Sequence, residues 1–293
     1  MSTQITTAFV SQYAANVTML AQQKGSKLRD AVRVENVNGK QAFFDQIGAT
    51  AARRRSSRHS DTPRMETPHA RRRCAIDDFD WADLVDQEDK VRMLIDPTST
   101  YARSAANAMG RALDEVIVDA MRGSAFTGEN GATAVPLPGV QRLPSLGTGL
   151  TLQKLISAKK ALDSADIDSD GRFMAVTSEQ LEDLLNTTQV TSADFNTVKA
   201  LVHGELETFL GFSFIRVDGA RIDGTKILPI ITGAERACLA WQRDQVVLGL
   251  GHEPAARITE RADKNYSTQV FYSMSAGATR MQETGVVEIA CVE

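Results

Sequence analysis

The sequence predicts an α+β fold in which helices and strands occur in separate blocks. One long amphipathic helix follows Pro97, strand-like segments dominate towards the C-terminus, and strands and helices do not alternate regularly. The chain has 293 residues, of which 42% are hydrophobic and 24% are charged, an ordinary globular composition. We therefore expect one large domain or two modest ones.

The N-terminal part predicts a helix, a hairpin and a long loop, in that order. Apolar residues recur every three to four positions in residues 3–24, the spacing of an amphipathic helix, and Gly25 is placed to end it. Apolar and polar residues then alternate around Asn38 and Gly39, which predicts a β-hairpin. Residues 48–68 have little periodicity, two prolines and many arginines, so we expect an extended, solvent-facing loop.

The middle of the chain contains the strongest helix. Apolar residues line one face of the segment after Pro97, Ser99 or Thr100 can cap the helix, and Gly123 stands where a C-terminal glycine belongs. The Gly- and Pro-rich residues 123–149 predict a loop that separates two parts of the molecule. Shorter elements follow: helices at 152–165, after Thr177 or Ser178 and near 194–203, a loop entering a strand within 204–219, and strands at 172–176, 226–232, 236–241, 255–261, 267–281 and 285–292.

The residue pattern nominates no catalytic, cofactor or metal site. Residues 166–171 match the first half of a calcium-binding loop, but Thr177 stands where a bidentate Glu is needed, so we interpret the segment as a turn. The four histidines lack metal-binding spacing, and no serine lies in a nucleophile motif. Cys74, Cys238 and Cys291 are widely separated, which favours reduced thiols. No apolar run has the length of a membrane span, and no secretory signal is recognisable, so we expect no membrane partner.

Two adjacent blocks of opposite charge are the sharpest feature of the sequence. Residues 53–73 carry a net charge of +6 within a chain whose total is -4. Seven acids follow between residues 77 and 89 without one base. The candidate contact residues are Arg53, Arg54, Arg55, Arg58, Arg71, Arg72 and Arg73 on the basic side, and Asp77, Asp78, Asp80, Asp83, Asp86, Glu88 and Asp89 on the acidic side.

Three interpretations of the charge blocks compete. A nucleic-acid arm would neutralise phosphates with its arginines, but the acidic block repels phosphate, and no aromatic residues are interleaved for stacking. A disordered solubilising tail is normally terminal rather than internal. The third interpretation is that the basic loop of one copy lies on the acidic surface of another, where arginines make bidentate contacts with carboxylates. Because every copy carries both blocks, this contact is self-complementary and favours repeated assembly.

Five segments of the sequence are distinctive as a set: GKQAFFDQIG (39–48), TPHARRRC (67–74), DWADLVDQEDKVRMLIDPTSTYARSAANAMGRALDE (80–115), GELETFLGFSFI (204–215) and DKNYSTQVFYSMSAGATRMQETGVVEIAC (263–291). With these segments in this order, the chain resembles the major capsid proteins of tailed bacteriophages over nearly its whole length. The resemblance implies the tailed-phage major capsid fold, which encapsulins share. Its implied parts are an N-terminal arm (1–40), an extended loop (41–76), a peripheral domain (77–149) with a spine helix (98–122), an axial domain (150–248) and return strands of the peripheral domain (249–293).

The resemblance also implies the function. The chain would be a structural, non-enzymatic protein whose copies form hexamers and pentamers of an icosahedral head around double-stranded DNA, without sequence-specific binding. It would assemble in the host cytoplasm and belong to the virion, with a portal and a decoration protein as further candidate partners. The alternatives are a nucleic-acid-binding protein that uses the arginine loop, or an encapsulin-like shell of a cellular compartment.

Two departures from the family pattern limit these implications. Some relatives lock their subunits by a Lys-to-Asn isopeptide bond from the extended loop, but here that loop contains only Lys40, at its base. Guanidinium groups supply no amine nucleophile, so we expect no such crosslink. Some relatives begin with a cleavable scaffolding segment, whereas here the family-like sequence starts within the first ten residues, so we expect a separate scaffolding protein.

Overall fold

The computed structural model describes residues 22–55, 57–58, 64–86, 98–186 and 208–293, and the fold is given for these residues. The helix predicted near 194–203, and nearly all of the one predicted for 3–24, lie outside them. The described helices are α1 (Thr98–Arg122), α2 (Leu152–Asp163) and α3 (Ser178–Leu185). The described strands are β1 (Arg33–Asn36), β2 (Gln41–Ile47), β3 (His69–Ala75), β4 (Asp77–Val85), β5 (Ala125–Thr127), β6 (Thr133–Val135), β7 (Arg142–Leu143), β8 (Arg172–Val176), β9 (Thr208–Phe209), β10 (Phe212–Arg216), β11 (Ile230–Thr232), β12 (Glu235–Gln242), β13 (Val246–Arg261), β14 (Ser267–Arg280) and β15 (Val286–Val292).

These strands form three sheets. The first has the order β1-β13-β14-β4, in which β13 and β14 are a long antiparallel pair and β1 runs parallel to β13. The second has the order β7-β15-β12-β8-β10-β9, with β11 beside β12, and the third has the order β2-β3-β5-β6. The mixture of helices and largely separate sheets confirms the predicted α+β class.

Helix α1 packs across the first sheet and forms the centre of the larger core. Its apolar residues recur at helical spacing, so that Leu113, Ile117 and Met121 are all buried against the sheet. The helix has 25 residues and is therefore about 37 Å long. It ends where the Gly123 amide donates to the Asp119 carbonyl at 2.8 Å. The helix begins at Thr98, before the predicted caps Ser99 and Thr100, and residues 98–122 are the range that the family resemblance implies.

A second core lies between the second sheet and helices α2 and α3. Leu155 and Leu162 of α2 and Leu184 of α3 are fully buried there. Thr177 caps α3 as predicted, because its backbone amide donates to the Gln180 side chain at 2.9 Å and the reciprocal bond completes a capping box. The C-terminal strand β15 belongs to this sheet, since it pairs with β12 along its whole length.

The hairpin predicted around Asn38 and Gly39 is wrong. Strand β1 pairs with β13, whereas β2 pairs with β3, so the two strands on either side of the turn belong to different sheets. Gly39 has a φ of 107°, which allows the chain to change direction between them. The partner of β1 lies more than 200 residues further along the chain, and local alternation carries no information about such a partner.

Residues 123–149 are more regular than the predicted loop. They contain the short strands β5, β6 and β7, and β5 extends the third sheet because Phe126 and Thr127 pair with β3. Their high Gly and Pro content conceals strands of two or three residues, of which β5 and β7 pair with distant strands. None of the described helices is both long and apolar enough to cross a membrane.

Candidate assembly surface

The extended loop begins as a two-stranded ribbon. Strands β2 and β3 pair antiparallel over seven residues each. The ribbon closes where the Gly48 amide donates to the Pro68 carbonyl at 2.8 Å. A Cβ atom on residue 48 would lie 2.6 Å from the Pro68 ring, so glycine permits this closure. The described residues between these two form neither helix nor strand and are exposed.

Five described arginines lie in the exposed part of the loop, and four of them are close together in the sequence: Arg53, Arg54, Arg55 and Arg58. We refer to these four residues as the arginine tip. None of them forms an ion pair with a carboxylate of the described residues. The Arg55 guanidinium donates to the Ser57 carbonyl at 2.8 Å, a neutral acceptor. Within the part of the chain that the structure describes, the arginine tip therefore presents positive charge that no carboxylate pairs with.

The three arginines of β3 do not act as one group, because successive side chains of a strand point to opposite faces. Arg71 pairs with Asp45 of β2 at 2.7 Å, and the Arg73 guanidinium lies 4.5 Å from the centre of the Phe126 ring. Arg72 points to the other face, where 9% of its side chain is exposed. Its Nε donates to the Met281 carbonyl at 2.9 Å.

Arg72 also has its carboxylate partner inside its own subunit. Its guanidinium lies 2.7 Å from the carboxylate of Glu283, which is itself largely buried. A buried and paired guanidinium is not available to another copy, so we remove Arg72 from the predicted set of contacts between copies. Its contacts instead fix the base of the ribbon to the residues that follow β14.

The acidic block forms the edge strand β4 of the first sheet. Phe79 and Trp81 point inward and pack against the larger core, whereas Asp78 and Asp80, on the alternate positions, are exposed. Serine hydroxyls donate to two of the acids, from Ser275 to Asp78 at 2.6 Å and from Ser267 to Asp86 at 2.5 Å. The described acids Asp77, Asp78, Asp80, Asp83 and Asp86 form no ion pair with a described base. The predicted contacts Glu88 and Asp89 lie outside the described residues.

The sequence as a whole matches one protein family. The profile of phage capsid proteins matches residues 5–293, which is nearly the entire chain. The chain belongs to the phage capsid protein family. A comparison with curated proteins finds no match.

Solved phage capsids share the fold of this capsid protein. The capsid of Cyanophage P-SCSP1u is 19% identical, with a TM-score of 0.69, over 99% of this chain and 94% of that chain. A chain of Mycobacterium phage Bobi is 16% identical, with a TM-score of 0.64, over 98% and 96% of the two chains. The capsid of Ralstonia phage GP4 is 11% identical, with a TM-score of 0.68, over 97% and 95%. These similarities confirm the capsid fold that the sequence resemblance implies.

Family and fold together assign a structural role. The protein is a major capsid protein, and its place is the capsid of the virion. A capsid is built from repeated subunits, so this protein works as one of many copies. The contacts between copies are therefore its functional sites.

Two buried polar anchors of the capsid subunit had no recognisable signal in the sequence. The first is Arg280 at the end of β14, which is fully buried and donates to the carbonyls of Met121 at 2.7 Å and Gly123 at 2.9 Å. A further bond reaches the Val135 carbonyl at 3.0 Å. Burial lowers the pKa of this guanidinium, and its contacts satisfy carbonyls that the end of α1 leaves without helical partners.

The second anchor is Asp114, in the middle of α1. Its fully buried carboxylate accepts the Ser26 hydroxyl at 2.5 Å and the backbone amides of Lys27 at 3.1 Å and Leu28 at 3.0 Å. Burial raises the pKa of the Asp114 carboxyl, while these hydrogen bonds act in the opposite direction. Gly110 lies about one helical turn before Asp114. A Cβ atom there would lie 2.2 Å from the Gly25 carbonyl carbon, so glycine at position 110 allows residue 25 to pass close to the helix. The chain before β1 is thereby fixed to the spine helix.

The residues that the sequence offers as candidate metal-binding or reactive groups have structural surroundings in the fold. Residues 166–171 form a turn, in which the Arg172 guanidinium donates to the carbonyls of Ile167 at 2.6 Å and Asp168 at 2.8 Å. All three cysteines are buried as free thiols. In the part of the chain that the structure describes, no three His, Cys, Asp or Glu residues are grouped to hold a metal ion.

Proposed function

We propose that neighbouring copies of this capsid protein are joined by a clasp, in which the arginine tip of one copy contacts the acidic strand β4 of the next. One observation carries the proposal. The arginine tip and the acids Asp77, Asp78 and Asp80 of β4 are exposed, and none of them has an ionic partner among the described residues of its own subunit. Each subunit carries one basic and one acidic element, so every copy can be donor and acceptor at once.

The energetics of such a clasp favour many copies over a single pair. One exposed arginine–carboxylate pair contributes about 0 to 1 kcal/mol, because solvent screens the charges and two long side chains lose freedom. A closed shell repeats the contact at every subunit boundary, so small contributions accumulate. The contact also sets the register between copies, since like charges that meet elsewhere repel.

The proposal extends to the architecture of the particle. The family and the fold support an icosahedral head of hexamers and pentamers, closed around double-stranded DNA and assembled in the host cytoplasm. We include a separate scaffolding protein, a portal and a decoration protein among the proposed partners. The absence of any catalytic constellation in the sequence supports a purely structural role.

The proposed division of the chain follows the capsid fold. Residues 1–40 are assigned to the arm, 41–76 to the extended loop, 77–149 to the peripheral domain and 150–248 to the axial domain. The pairing of β15 with β12 favours one change, in which Val286–Val292 is grouped with the axial domain rather than with the return strands.

Charge reversal at the arginine tip tests the clasp. We expect the variant Arg53→Glu, Arg54→Glu, Arg55→Glu to fold normally, because these side chains are exposed, but to form no closed shells. The matched control replaces the same three residues with Lys, which keeps the charge and should keep assembly. Circular dichroism reports the fold, and negative-stain electron microscopy of the expressed protein reports the shells. Normal shells from the glutamate variant would refute the clasp.

A nucleic-acid role for the arginine tip predicts a different result. The unassembled subunit would then bind duplex DNA with an affinity that falls steeply as salt rises, because phosphate binding releases counterions. We expect negligible DNA binding of the subunit at about 100 mM salt, since β4 places negative charge in the same subunit. Binding that the lysine control retains and the glutamate variant loses would favour the nucleic-acid role.

A further inference from the structure

One edge of strand β4 is unpaired among the described strands. It pairs with β14 on one side, from Asp77 opposite Ala276 to Val85 opposite Thr268, and no described strand pairs with its other side. A free edge presents backbone N–H and C=O groups that can form hydrogen bonds with an added strand. Strand β4 has nine residues, and about every second one directs its backbone N–H and C=O groups to this edge, where a strand from another chain could bond to them.

Two open cavities adjoin this strand and leave room beside it. One of about 450 Å³ is lined by Asp77, Phe79 and residues of α1, and the other of about 300 Å³ is lined by Phe79, Asp80 and Trp81. Because Phe79 lines both, the open space follows the strand from residue 77 to residue 81. This space is bounded by half-buried aromatic rings and by carboxylates.

Carboxylates and guanidinium groups both lie in this space. Glu115 and Asp119 of α1 line the larger cavity together with Arg73, and Arg221 pairs with both acids, at 3.1 Å and 2.5 Å, so that two arginines balance these two acids. Arg111 lines the smaller cavity. On the exposed face of β4, Asp78 and Asp80 form no ion pair with a described base. A ligand of that face should therefore carry positive charge at the spacing of these two acids.

The arginine tip has that spacing. Side chains alternate along a strand, so Asp78 and Asp80 lie on one face of β4 and Phe79 lies on the other. In an extended segment Arg53 and Arg55 likewise share a face, and Arg54 points the opposite way. Facing side chains on adjacent strands have Cβ atoms about 4.5 to 5.5 Å apart, which is within reach of an ion pair.

We propose that residues 52–55 of a second copy add to β4 as an extra strand, with Arg54 opposite Phe79. This places Arg53 and Arg55 opposite Asp78 and Asp80, whichever direction the added strand runs. Arg54 then lies over an aromatic ring, the arrangement that Arg73 and Phe126 already adopt within the subunit. The segment contains no proline, so each of its residues can donate a backbone hydrogen bond. This inference rests on the proposed clasp and states how its two parts meet.

Cysteine crosslinking within assembled particles tests the register. Asp78→Cys and Asp80→Cys are each combined with Arg53→Cys, Arg54→Cys or Arg55→Cys in the full chain, and the particles are oxidised with copper phenanthroline. The native cysteines are buried and should not compete. We expect disulfide-linked oligomers on non-reducing gels from residues 53 and 55, at least fivefold more than from residue 54.

The other outcomes separate this inference from the clasp itself. Equal crosslinking from all three loop positions, or no crosslinking from any of them, would overturn the strand addition. The clasp itself would survive this result if charge reversal of the arginine tip still blocks assembly. If that reversal has no effect on assembly, the clasp fails as well. The variant Asp78→Lys, Asp80→Lys gives a further test. If it forms normal shells while its free subunit aggregates, the acids only protect the strand edge from aggregation, and the inference is overturned.

Discussion

The guanidinium of Arg280 donates to the carbonyl of Met121 at 2.7 Å, and this bond ties the end of the longest described strand pair to the end of the spine helix. Arg280 is fully buried and has no carboxylate among its hydrogen-bond partners, so backbone carbonyls alone solvate it. The negative end of the helix dipole favours a cation at this place. The junction of loop, helix and sheet therefore depends on one side chain.

Replacing Arg280 with Ala should destabilise the subunit by about 3 to 5 kcal/mol, because several buried carbonyls lose their donor and a cavity remains. Arg280→Lys should recover part of this loss, since an ammonium can donate to some of the same carbonyls. Urea unfolding of the unassembled subunit measures both values. Equal stability of the alanine variant and the parent would contradict the assigned role.

Arg72 and Arg71, neighbours on β3, should respond differently to the same substitution. Arg72→Glu places a second carboxylate beside Glu283 in a buried site and should cost about 3 to 5 kcal/mol of folding free energy. Arg71→Glu changes a half-exposed side chain opposite Asp45, where solvent screens the repulsion, so it should cost only about 1 kcal/mol and lower the unfolding midpoint much less. Thermal unfolding of the two variants gives the comparison, and similar midpoints would contradict it. Charge reversal of Arg71, Arg72 and Arg73 together would therefore not distinguish misfolding of the subunit from failed assembly.

These neighbours show what the sequence could and could not predict. The end of α1 at Gly123, the strand at 172–176 and the cap at Thr177 follow from local spacing and capping residues, so local sequence was sufficient for them. Whether an arginine of β3 faces solvent or the core depends on the strand's phase relative to partners elsewhere in the chain. The same reason explains the wrong hairpin at Asn38, since β1 pairs with residues of β13.

Only part of the candidate site could be predicted, because the rest depends on contacts between segments that are distant in the sequence. Composition alone located the two charge blocks, because a dense run of one charge is visible without any structure. Asp114 looked like any surface acid of an amphipathic helix, and only the crossing of the chain at Gly110 makes it a buried anchor. Such sites require two segments to meet, and a single sequence does not contain that information.

The close crossing at Gly110 predicts a reversal of the usual effect of alanine in a helix. Gly-to-Ala normally stabilises a helix interior by about 1 kcal/mol. Here the added Cβ would lie 2.2 Å from the Gly25 carbonyl carbon, so Gly110→Ala should displace residues 23–28 and destabilise the subunit. Limited trypsin digestion should then cut faster at Lys24 and Lys27. Gly139→Ala is the control, because a Cβ there meets nothing within 4 Å. Unchanged digestion of Gly110→Ala would contradict the crossing.

The Glu293 carboxylate predicts a pH dependence of the second core. Burial alone would raise its pKa, but hydrogen bonds from Arg236, Gln180 and Thr177 outweigh this and hold the pKa at about 2, below the ordinary value of 4.5. Because the folded-state pKa lies below the unfolded-state pKa, the carboxylate stabilises the fold at pH values above the unfolded-state pKa. This stabilisation is lost as the pH falls towards about 2. Glu293→Gln should therefore cost about 1 to 3 kcal/mol at pH 7 and much less near pH 3. Urea unfolding at both pH values measures the difference, with the exposed Glu260→Gln as control. A cost that is the same at both pH values would show that the carboxylate charge does not stabilise this end of the sheet.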